Sequence, residues 1–345
     1  ILEGNRSRVK AGEYLFKQQA SLRDVIDTLV SGKQLLHSIT VPEGLTSEQI
    51  VQRLRDNELL SGDIRDIPKE GTLLPETYRV ARGMSRNDLI AKMQSDHERI
   101  VDQIWARRTS DLPLSSPFEL VTLASIVEKE TGRADERTRV AGVFINRLNK
   151  RMRLQSDPTI VYGLVGGKGT LGRGILRSEL ERATAYNTYQ IDGLPPGPIA
   201  NPGRAAMEAV ANPSRTRDLY FVADGTGGHT FAETLEQHNR NVTRWRQIER
   251  ERAATPASAT SPATTPVDRV DPDATTTTTP ATPAAPRERR GDLGTGSSVA
   301  DAVVATDPPK PANSLFSLAP DLDKSLATNF PAPRNAVDGP IDAND

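Results

Sequence analysis

The chain has 345 residues, with 44 basic and 45 acidic side chains, a formal net charge of −1 and no cysteine. The balanced charge gives no basic excess to favour a nucleic acid as partner, and the lack of cysteine excludes a disulfide framework and thiolate metal sites. No stretch reaches the roughly 18 apolar residues that indicate a membrane span, and no signal-peptide pattern is present. Because the sequence starts at Ile1 rather than Met, we expect that an N-terminal segment precedes it.

Residues 9–60 alternate strand and helix signals. Glu13–Phe16 and Leu36–Val41 are typical of short strands. Ser21 and Thr46 are N-cap residue types that precede amphipathic stretches, and Gly32 is placed to end the first helix. The order strand, helix, strand, helix predicts a small α/β module of the kind that serves in binding.

A larger region follows and mixes helices with a late hairpin. Residues 60–90 contain Pro and Gly breakers and are predicted to be irregular. Apolar spacing predicts helices over 88–105, 118–131, 135–149, 205–211 and 234–252. The remaining segments are predicted as a turn with a strand-like run (154–165), a glycine-rich loop (163–174), a polar, Pro-rich loop (184–203) and a hairpin (218–223 with 229–231). The fold class is therefore α+β.

The last part of the chain has a different composition. From about Ala253 the sequence is dominated by Thr, Pro, Ala, Ser and Asp, and Thr275–Thr279 is an unbroken threonine run. Such a segment cannot bury enough apolar surface to offset the entropy lost on ordering. Residues 253–345 are therefore predicted to be disordered.

The most informative stretch is an apolar helix that ends in Glu128-Lys129-Glu130-Thr131. A carboxyl group in apolar surroundings has its ionised form disfavoured, and the raised pKa suits a general acid at neutral pH. On a helix the two glutamates lie about 200° apart, at opposite edges of the apolar stripe. Glu130 has the bulkier apolar neighbours, but periodicity leaves Glu128 open, and a solvated helix end is the ordinary alternative for both.

Polar and aromatic side chains are concentrated on the loops that follow this helix. Loops on a rigid scaffold are where binding groups tend to reside. Amides and tyrosines in a groove suit a sugar, which offers hydroxyls, acetamido groups and apolar ring faces. Taken singly, each is more often a turn-stabilising side chain. The residues are Gln155, Asp157, Tyr162, Tyr186, Asn187, Tyr189 and Asn201.

Other chemistries lack their motifs. His229 and His238 are nine residues apart without the HExxH spacing of a zinc site. The run Gly166–Gly169 lacks the strand-to-helix context and the GK[ST] ending of a phosphate-binding loop. Neither a GxSxG elbow nor a cysteine offers an acyl-transfer nucleophile. The pattern predicts neither a metal nor a cofactor.

Six motifs occur in this order: ASIVEKE, VFINRL, MRLQSDPTIVYG, AYNTY, GLPPGPIANPG and LYFVADGTGGHTF. Together they resemble the endolytic murein transglycosylases, the MltG/YceG-like proteins, over roughly residues 9–250. The resemblance implies a LysM-like α/β module in residues 1–60 and a mixed α+β catalytic domain in 61–252. Residues 253–345 have no counterpart in the family pattern. It also implies a single-pass inner-membrane anchor at the N-terminus, absent from this sequence, with the catalytic domain in the periplasm.

The resemblance implies a catalytic glutamate in the EKE motif. We place it at Glu130, since related lytic transglycosylases carry a Glu followed by a small hydroxyl residue, here Thr131, and Glu128 remains the alternative. The implied substrate contacts are Asn146, Gln155, Asp157, Tyr162, Tyr186, Asn187 and Tyr189.

The implied reaction cuts the β-1,4 bond between N-acetylmuramic acid and N-acetylglucosamine and forms a 1,6-anhydro ring, without metal or cofactor. It would limit the elongation of nascent strands, and the implied partners are peptidoglycan glycan strands and peptidoglycan synthases. Two other functions fit the residues. One is a non-enzymatic peptidoglycan-binding scaffold, and the other is a glycoside hydrolase with two carboxylates, in which Asp157 or Glu128 is the second.

Overall fold

The computed structural model describes residues 12–254, with a mixed α+β fold of helices and small two-stranded sheets. The fold class expected from the sequence is confirmed. The prediction of disorder concerns residues that lie outside the described part, except for 253 and 254, which extend the last helix. No helix within 12–254 combines the length and the apolar character needed to cross a membrane.

The N-terminal module contains α1 (Leu22–Ser31), β1 (Leu36–Thr40) and α2 (Ser47–Arg55). Ser21 and Thr46 each accept a hydrogen bond from a backbone N–H of the first turn, and Gly32 ends α1 in the left-handed conformation. The predicted caps are therefore confirmed. The predicted strand at Glu13–Phe16 is wrong, because that segment has no strand geometry, although the Glu13 carbonyl accepts a hydrogen bond from the Leu35 N–H.

Three further strands lie in the region that was expected to be irregular: β2 (Leu60–Ser61), β3 (Thr77–Ala81) and β4 (Met84–Ser85). β3 pairs antiparallel with β1, and β2 pairs parallel with β4. Tyr78 and Val80 of β3 are buried while their neighbours face outward, so an alternating pattern was present among the Pro and Gly breakers. The core of this module extends from Ile39 to Met93, and a boundary at residue 60 divides one hydrophobic core.

A helical layer follows, formed by α3 (Arg86–Ala106), α4 (Pro117–Glu130) and α5 (Arg137–Asn149). Ser116 caps α4 and Pro117 occupies its first turn, where a missing N–H costs nothing. From Leu120 to Val127 every residue of α4 is buried, as expected for a helix enclosed on all sides. This burial carries the end of α4 into the interior and positions the glutamates.

Residues 157–165 form a helix, α6 (Asp157–Val165), where the sequence pattern indicated a strand. Its start has Pro158 within the first turn and the acidic Asp157, and its end has Gly166 in the left-handed conformation. These terminal signals override the strand preference of the β-branched residues between them. α7 (Arg177–Glu181), which was not predicted, follows the glycine-rich segment, and 182–203 is free of helix and strand.

The described part of the chain ends with α8 (Arg204–Ala211), the hairpin β5 (Tyr220–Ala223) and β6 (His229–Ala232), and α9 (Leu235–Ala254). All are close to their predicted positions. α8 packs against α3, α4 and α5, and the hairpin packs between α5 and α9. The core of this half runs through α4, α5 and α8, so α4 lies at its centre.

Candidate active site

Glu130 is the last residue of α4 and is 2% exposed. The helix stops there because Thr131 adopts an extended conformation, and the Thr131 hydroxyl accepts a hydrogen bond from the Arg133 N–H. A buried carboxyl at a helix end is costly unless it is hydrogen-bonded or neutral. The Glu130 carboxyl therefore needs hydrogen-bond partners from other segments of the chain.

The partner is Ser156, whose hydroxyl donates to Glu130 Oε1 at 2.6 Å. Glu130 Oε2 is buried and has no hydrogen-bond partner among the described residues. Burial raises the pKa of Glu130 to about 8; the Ser156 bond and the Arg147 charge oppose the rise, and the Asp157 carboxylate adds to it. Glu130 is therefore largely protonated at neutral pH, with one oxygen uncommitted.

Arg147 holds the segment that carries Ser156. Its guanidinium is fully buried and donates to the carbonyls of Leu219, Arg153 and Leu154 and to Gln155 Oε1. Gln155 itself has φ of 53°, in the left-handed region that non-glycine residues rarely adopt. A strained residue fixed by a buried cation, directly before the hydroxyl that meets Glu130, is typical of a functional site.

Asp157 and Tyr189 form a buried pair beside this segment. The Tyr189 hydroxyl donates to Asp157 Oδ1 at 2.7 Å. Burial raises the pKa of Asp157 to about 6, although the hydrogen bond from Tyr189 opposes it. The Asp157 carboxylate is also one cause of the raised pKa of Glu130, smaller than burial. The structure thus brings two of the predicted site residues together near the predicted acid.

The loop around residue 188 is locked to the start of α6. The Thr188 hydroxyl accepts from the Ser156 N–H at 2.9 Å and shares a hydrogen bond with the Thr159 hydroxyl at 2.8 Å. Asn187 is fully buried, and its amide donates to the carbonyls of Leu180 and Arg182. Asn187 therefore stabilises the loop, and none of its surface is accessible to a substrate in this structure.

Tyr162 and Tyr186 form an aromatic pair that is half-buried, with ring centroids 4.8 Å apart. The Tyr162 hydroxyl donates to Glu70 Oε2 at 3.2 Å. The other Glu70 oxygen accepts from the Ser47 N–H at 2.8 Å and from the Asn201 amide at 3.0 Å. Glu70 therefore ties the first module to the aromatic pair.

The two remaining predicted asparagines have structural contacts. Asn201 is fully buried and also accepts a hydrogen bond from the Leu73 N–H. Asn146 donates to the carbonyls of Thr216 and Asp218, both at 2.9 Å. Asn146 also lines a cavity of about 600 Å³ between α5 and the segment before β5, and Glu130 is not among the lining residues of that cavity.

Glu128 has different surroundings from Glu130. Its Oε2 accepts a hydrogen bond from the Gly203 N–H at 3.0 Å, at the start of α8. Burial raises its pKa and the nearby Glu43 carboxylate adds to this, while the Gly203 bond and the charges of Arg137 and Lys129 oppose it. No predicted sugar-binding residue hydrogen-bonds to Glu128 among the contacts described for 12–254.

The histidines have structural surroundings. His229 bonds Glu136 through Nδ1 at 2.9 Å, and His238 stacks on Tyr220 at 5.1 Å between ring centroids. Among residues 12–254 no cluster of three or more His, Cys, Asp or Glu is arranged to hold a metal ion. The groups described around Glu130 are carboxyl, hydroxyl, guanidinium and aromatic groups.

Sequence reasoning missed Ser156, Arg147 and Glu70. Ser156 had a detectable signal, because it precedes Asp157-Pro158 in the manner of an N-cap residue. In the structure its hydroxyl makes no cap bond and donates to Glu130 instead. Arg147 lies on the buried face of α5, which is rare for an arginine and visible from apolar spacing. Glu70 had no signal, since it lies among breakers far from its partners in the chain.

The chain is similar to known proteins over most of its described length. A model of the YceG-like family matches residues 1–244. The endolytic murein transglycosylase of Streptococcus pneumoniae serotype 2 strain D39 is 30% identical over 287 residues, covering 69% of this chain and 51% of the relative. The endolytic murein transglycosylase of Bacillus subtilis strain 168 is 32% identical over 267 residues, covering 68% and 72%.

A solved structure of a YceG-like protein from Listeria monocytogenes is 31% identical and covers 69% of this chain and 86% of that one, with a TM-score of 0.49. The chain spans about half the length of the two S. pneumoniae relatives that it matches.

Proposed function

The chain belongs to the YceG-like family, and on that premise we propose that it is an endolytic lytic transglycosylase of peptidoglycan. It cleaves the β-1,4 bond between N-acetylmuramic acid and N-acetylglucosamine and limits the elongation of nascent strands. The observation that supports this most directly is the buried, largely protonated carboxyl of Glu130, held by Ser156 with its second oxygen unpartnered.

We assign both proton transfers to Glu130. The carboxyl donates its proton from Oε2 to the glycosidic oxygen as the bond to C1 breaks, and the bond's electron pair leaves with that oxygen. The muramyl C6 hydroxyl then attacks C1, and its proton returns to the Glu130 carboxylate. The product is a 1,6-anhydro ring, and the nucleophile is part of the substrate, so that proximity replaces an activated water.

The surrounding residues divide into contacts and supports. Tyr162 and Tyr186 offer half-buried ring faces on which a sugar can stack, and Gln155 and Asp157 lie beside the acid. Asn187 and Tyr189 shape the loop from within. Because Glu130 is 2% exposed, the proposal includes an opening of the residues that cover its carboxyl when a glycan binds.

Glu130 is preferred over Glu128 because of what surrounds each carboxyl. Glu130 meets Ser156, Arg147 and Asp157, whereas Glu128 binds the backbone at Gly203. Asp157 also supports a second candidate, a hydrolase with two carboxylates, since its charge reaches Glu130. In that reaction the second group activates water or attacks C1, and the product keeps a reducing end.

The test compares wild type with Glu130→Gln and Glu128→Gln on purified glycan strands, with the products read by mass spectrometry. We expect Glu130→Gln to lose about 100-fold to 10,000-fold in rate, the range for a general acid–base group, and Glu128→Gln to stay within about tenfold of wild type. Full activity of Glu130→Gln would refute the assignment. Products heavier by one water molecule would indicate the hydrolase, and binding without release would indicate a scaffold.

The cellular setting is also a proposal, supported by the family membership. We place the protein at the bacterial inner membrane, attached by a single-pass anchor that precedes the present sequence, with the catalytic domain in the periplasm and the first module as a LysM-like binding unit. Peptidoglycan synthases that supply nascent strands are the proposed partners. Fractionation of cells that express the natural full-length protein, followed by crosslinking, tests both points, and recovery in the cytoplasm would contradict them.

A further inference from the structure

A second cavity, of about 470 Å³, opens where α5 begins and the ends of α3 and α8 meet it. Its polar lining consists of Arg107, Arg137, Thr138, Glu208 and Asn212. Glu208 is already paired with Arg204 at 2.8 Å. The two arginines therefore give the cavity a positive character, in a chain whose net charge is close to neutral.

Arg137 is 9% exposed, and its Nε is buried without a hydrogen-bond partner among residues 12–254. A buried guanidinium N–H left unpaired is costly, since charged donors are normally paired when they leave water. Glu128 lies close enough for the two charges to interact, but it uses one carboxylate oxygen on the Gly203 N–H. Arg137 thus lines the cavity with a guanidinium group whose Nε the described residues leave unpaired.

The start of α5 forms part of the cavity wall through Arg137 and Thr138. Glu136 at the N-cap makes no side-chain cap bond, because its carboxylate accepts instead from the His229 N–H and Nδ1 at 3.0 and 2.9 Å. The first N–H groups of a helix carry partial positive charge and bind anions. Thr138, on the same turn, provides a hydroxyl at the cavity wall. The guanidinium of Arg137 and the hydroxyl of Thr138 can both donate hydrogen bonds to an anion that carries two oxygens.

We propose that this cavity binds a carboxylate of the peptide that substitutes the glycan strand, with Arg137 as its principal ligand. The proposal rests on the function proposed above, because murein carries peptides whose ends and side chains bear free carboxylates. A carboxylate accepts two parallel N–H bonds from a guanidinium. The cavity shares α8 with the Glu128 end of α4, so a strand at Glu130 could place a peptide there. The cavity would make cleavage depend on the charge of the peptide.

The experiment uses the full chain and two substrates: peptide-bearing glycan strands with free carboxylates, and the same strands after the carboxylates are converted to amides. The variants are Arg137→Gln and, as a matched control, Arg133→Gln. Arg133 lies four residues earlier, in the segment before α5, and carries the same charge, but it pairs with Asp135 and does not line the cavity.

For wild type we expect kcat/KM to be about tenfold lower on amidated strands, the size of one charge-assisted hydrogen bond. Arg137→Gln should cut like wild type on amidated strands and lose the preference for free carboxylates, whereas Arg133→Gln should keep it. A wild-type preference that survives in Arg137→Gln overturns the proposal. If Arg137→Gln does not fold, Arg107→Gln, at an exposed position on the same cavity, should reduce the preference about threefold, and an unchanged ratio counts against the site.

Titration calorimetry separates this inference from the proposed function. A synthetic peptide with free carboxylates should bind wild type about tenfold more tightly than its fully amidated form, and equally weakly to Arg137→Gln. If no strand is cleaved but this difference is present, the catalytic proposal fails and the cavity assignment stands. If inorganic phosphate binds at Arg137 while the peptide does not, the site is an anion site of another kind and the peptide assignment is wrong.

Discussion

Replacing Ser156 with alanine removes the only hydrogen bond that the Glu130 carboxyl makes among the described residues. A hydrogen bond to a charged group contributes about 1.5–3 kcal/mol, and here it favours the ionised carboxylate more than the neutral acid. Since about 1.4 kcal/mol corresponds to one pH unit, Ser156→Ala should raise the Glu130 pKa by about one to two pH units above the wild-type value of about 8.

The assay is the pH dependence of kcat/KM for release of 1,6-anhydro products. If Glu130 must be protonated to act as the acid, wild-type kcat/KM falls as pH rises above about 8. In Ser156→Ala the same fall, the alkaline limb of the profile, should occur about one to two pH units higher. Ser214→Ala is the control, because it removes an exposed hydroxyl contact to Thr138 and none to Glu130. A limb in Ser156→Ala that stays in place, or moves to lower pH, would refute the reasoning.

Three further predictions follow from the same contacts. Because the folded-state pKa of Glu130 is raised from 4.5 to about 8, the folded chain holds a proton that the unfolded chain has lost, so stability falls as pH rises through that window. In Glu130→Gln this loss of stability, up to about 5 kcal/mol by pH 8, should be absent. Urea unfolding of wild type and variant at pH 5 and pH 8 measures it, and an equal change in the free energy of unfolding in both proteins would contradict the burial argument. Arg147→Met leaves several buried carbonyl acceptors without a donor, so the free energy of unfolding should drop by about 3 kcal/mol or more. A loss below about 1 kcal/mol in a denaturant titration would contradict the importance of these hydrogen bonds. Glu70→Ala removes the acceptor of the Tyr162 hydroxyl, and we expect KM for glycan strands to rise roughly tenfold with little change in kcat. Initial rates at several strand concentrations measure both constants. An unchanged KM would contradict a role of the aromatic pair in binding.

Local signals in the sequence were sufficient for much of the secondary structure. Ser21 and Thr46 cap their helices as predicted, and Pro117 opens α4. These features depend on a few neighbouring residues, so they can be recognised without the fold. The same locality explains the errors. β3 became a strand because β1 was available to pair with it, and the run after Asp157 became a helix because of its terminal residues despite β-branched side chains within it.

The sequence by itself determined that two glutamates end an apolar helix and that polar loops follow. Only the tertiary structure shows how their surroundings differ, because burial and hydrogen bonding depend on what packs against each carboxyl. Ser156, 26 residues away in the chain, donates to Glu130, while the Gly203 N–H, 75 residues away, holds Glu128. The pKa of a carboxyl follows from its desolvation and its partners, and those are supplied by segments that periodicity along one helix does not reveal.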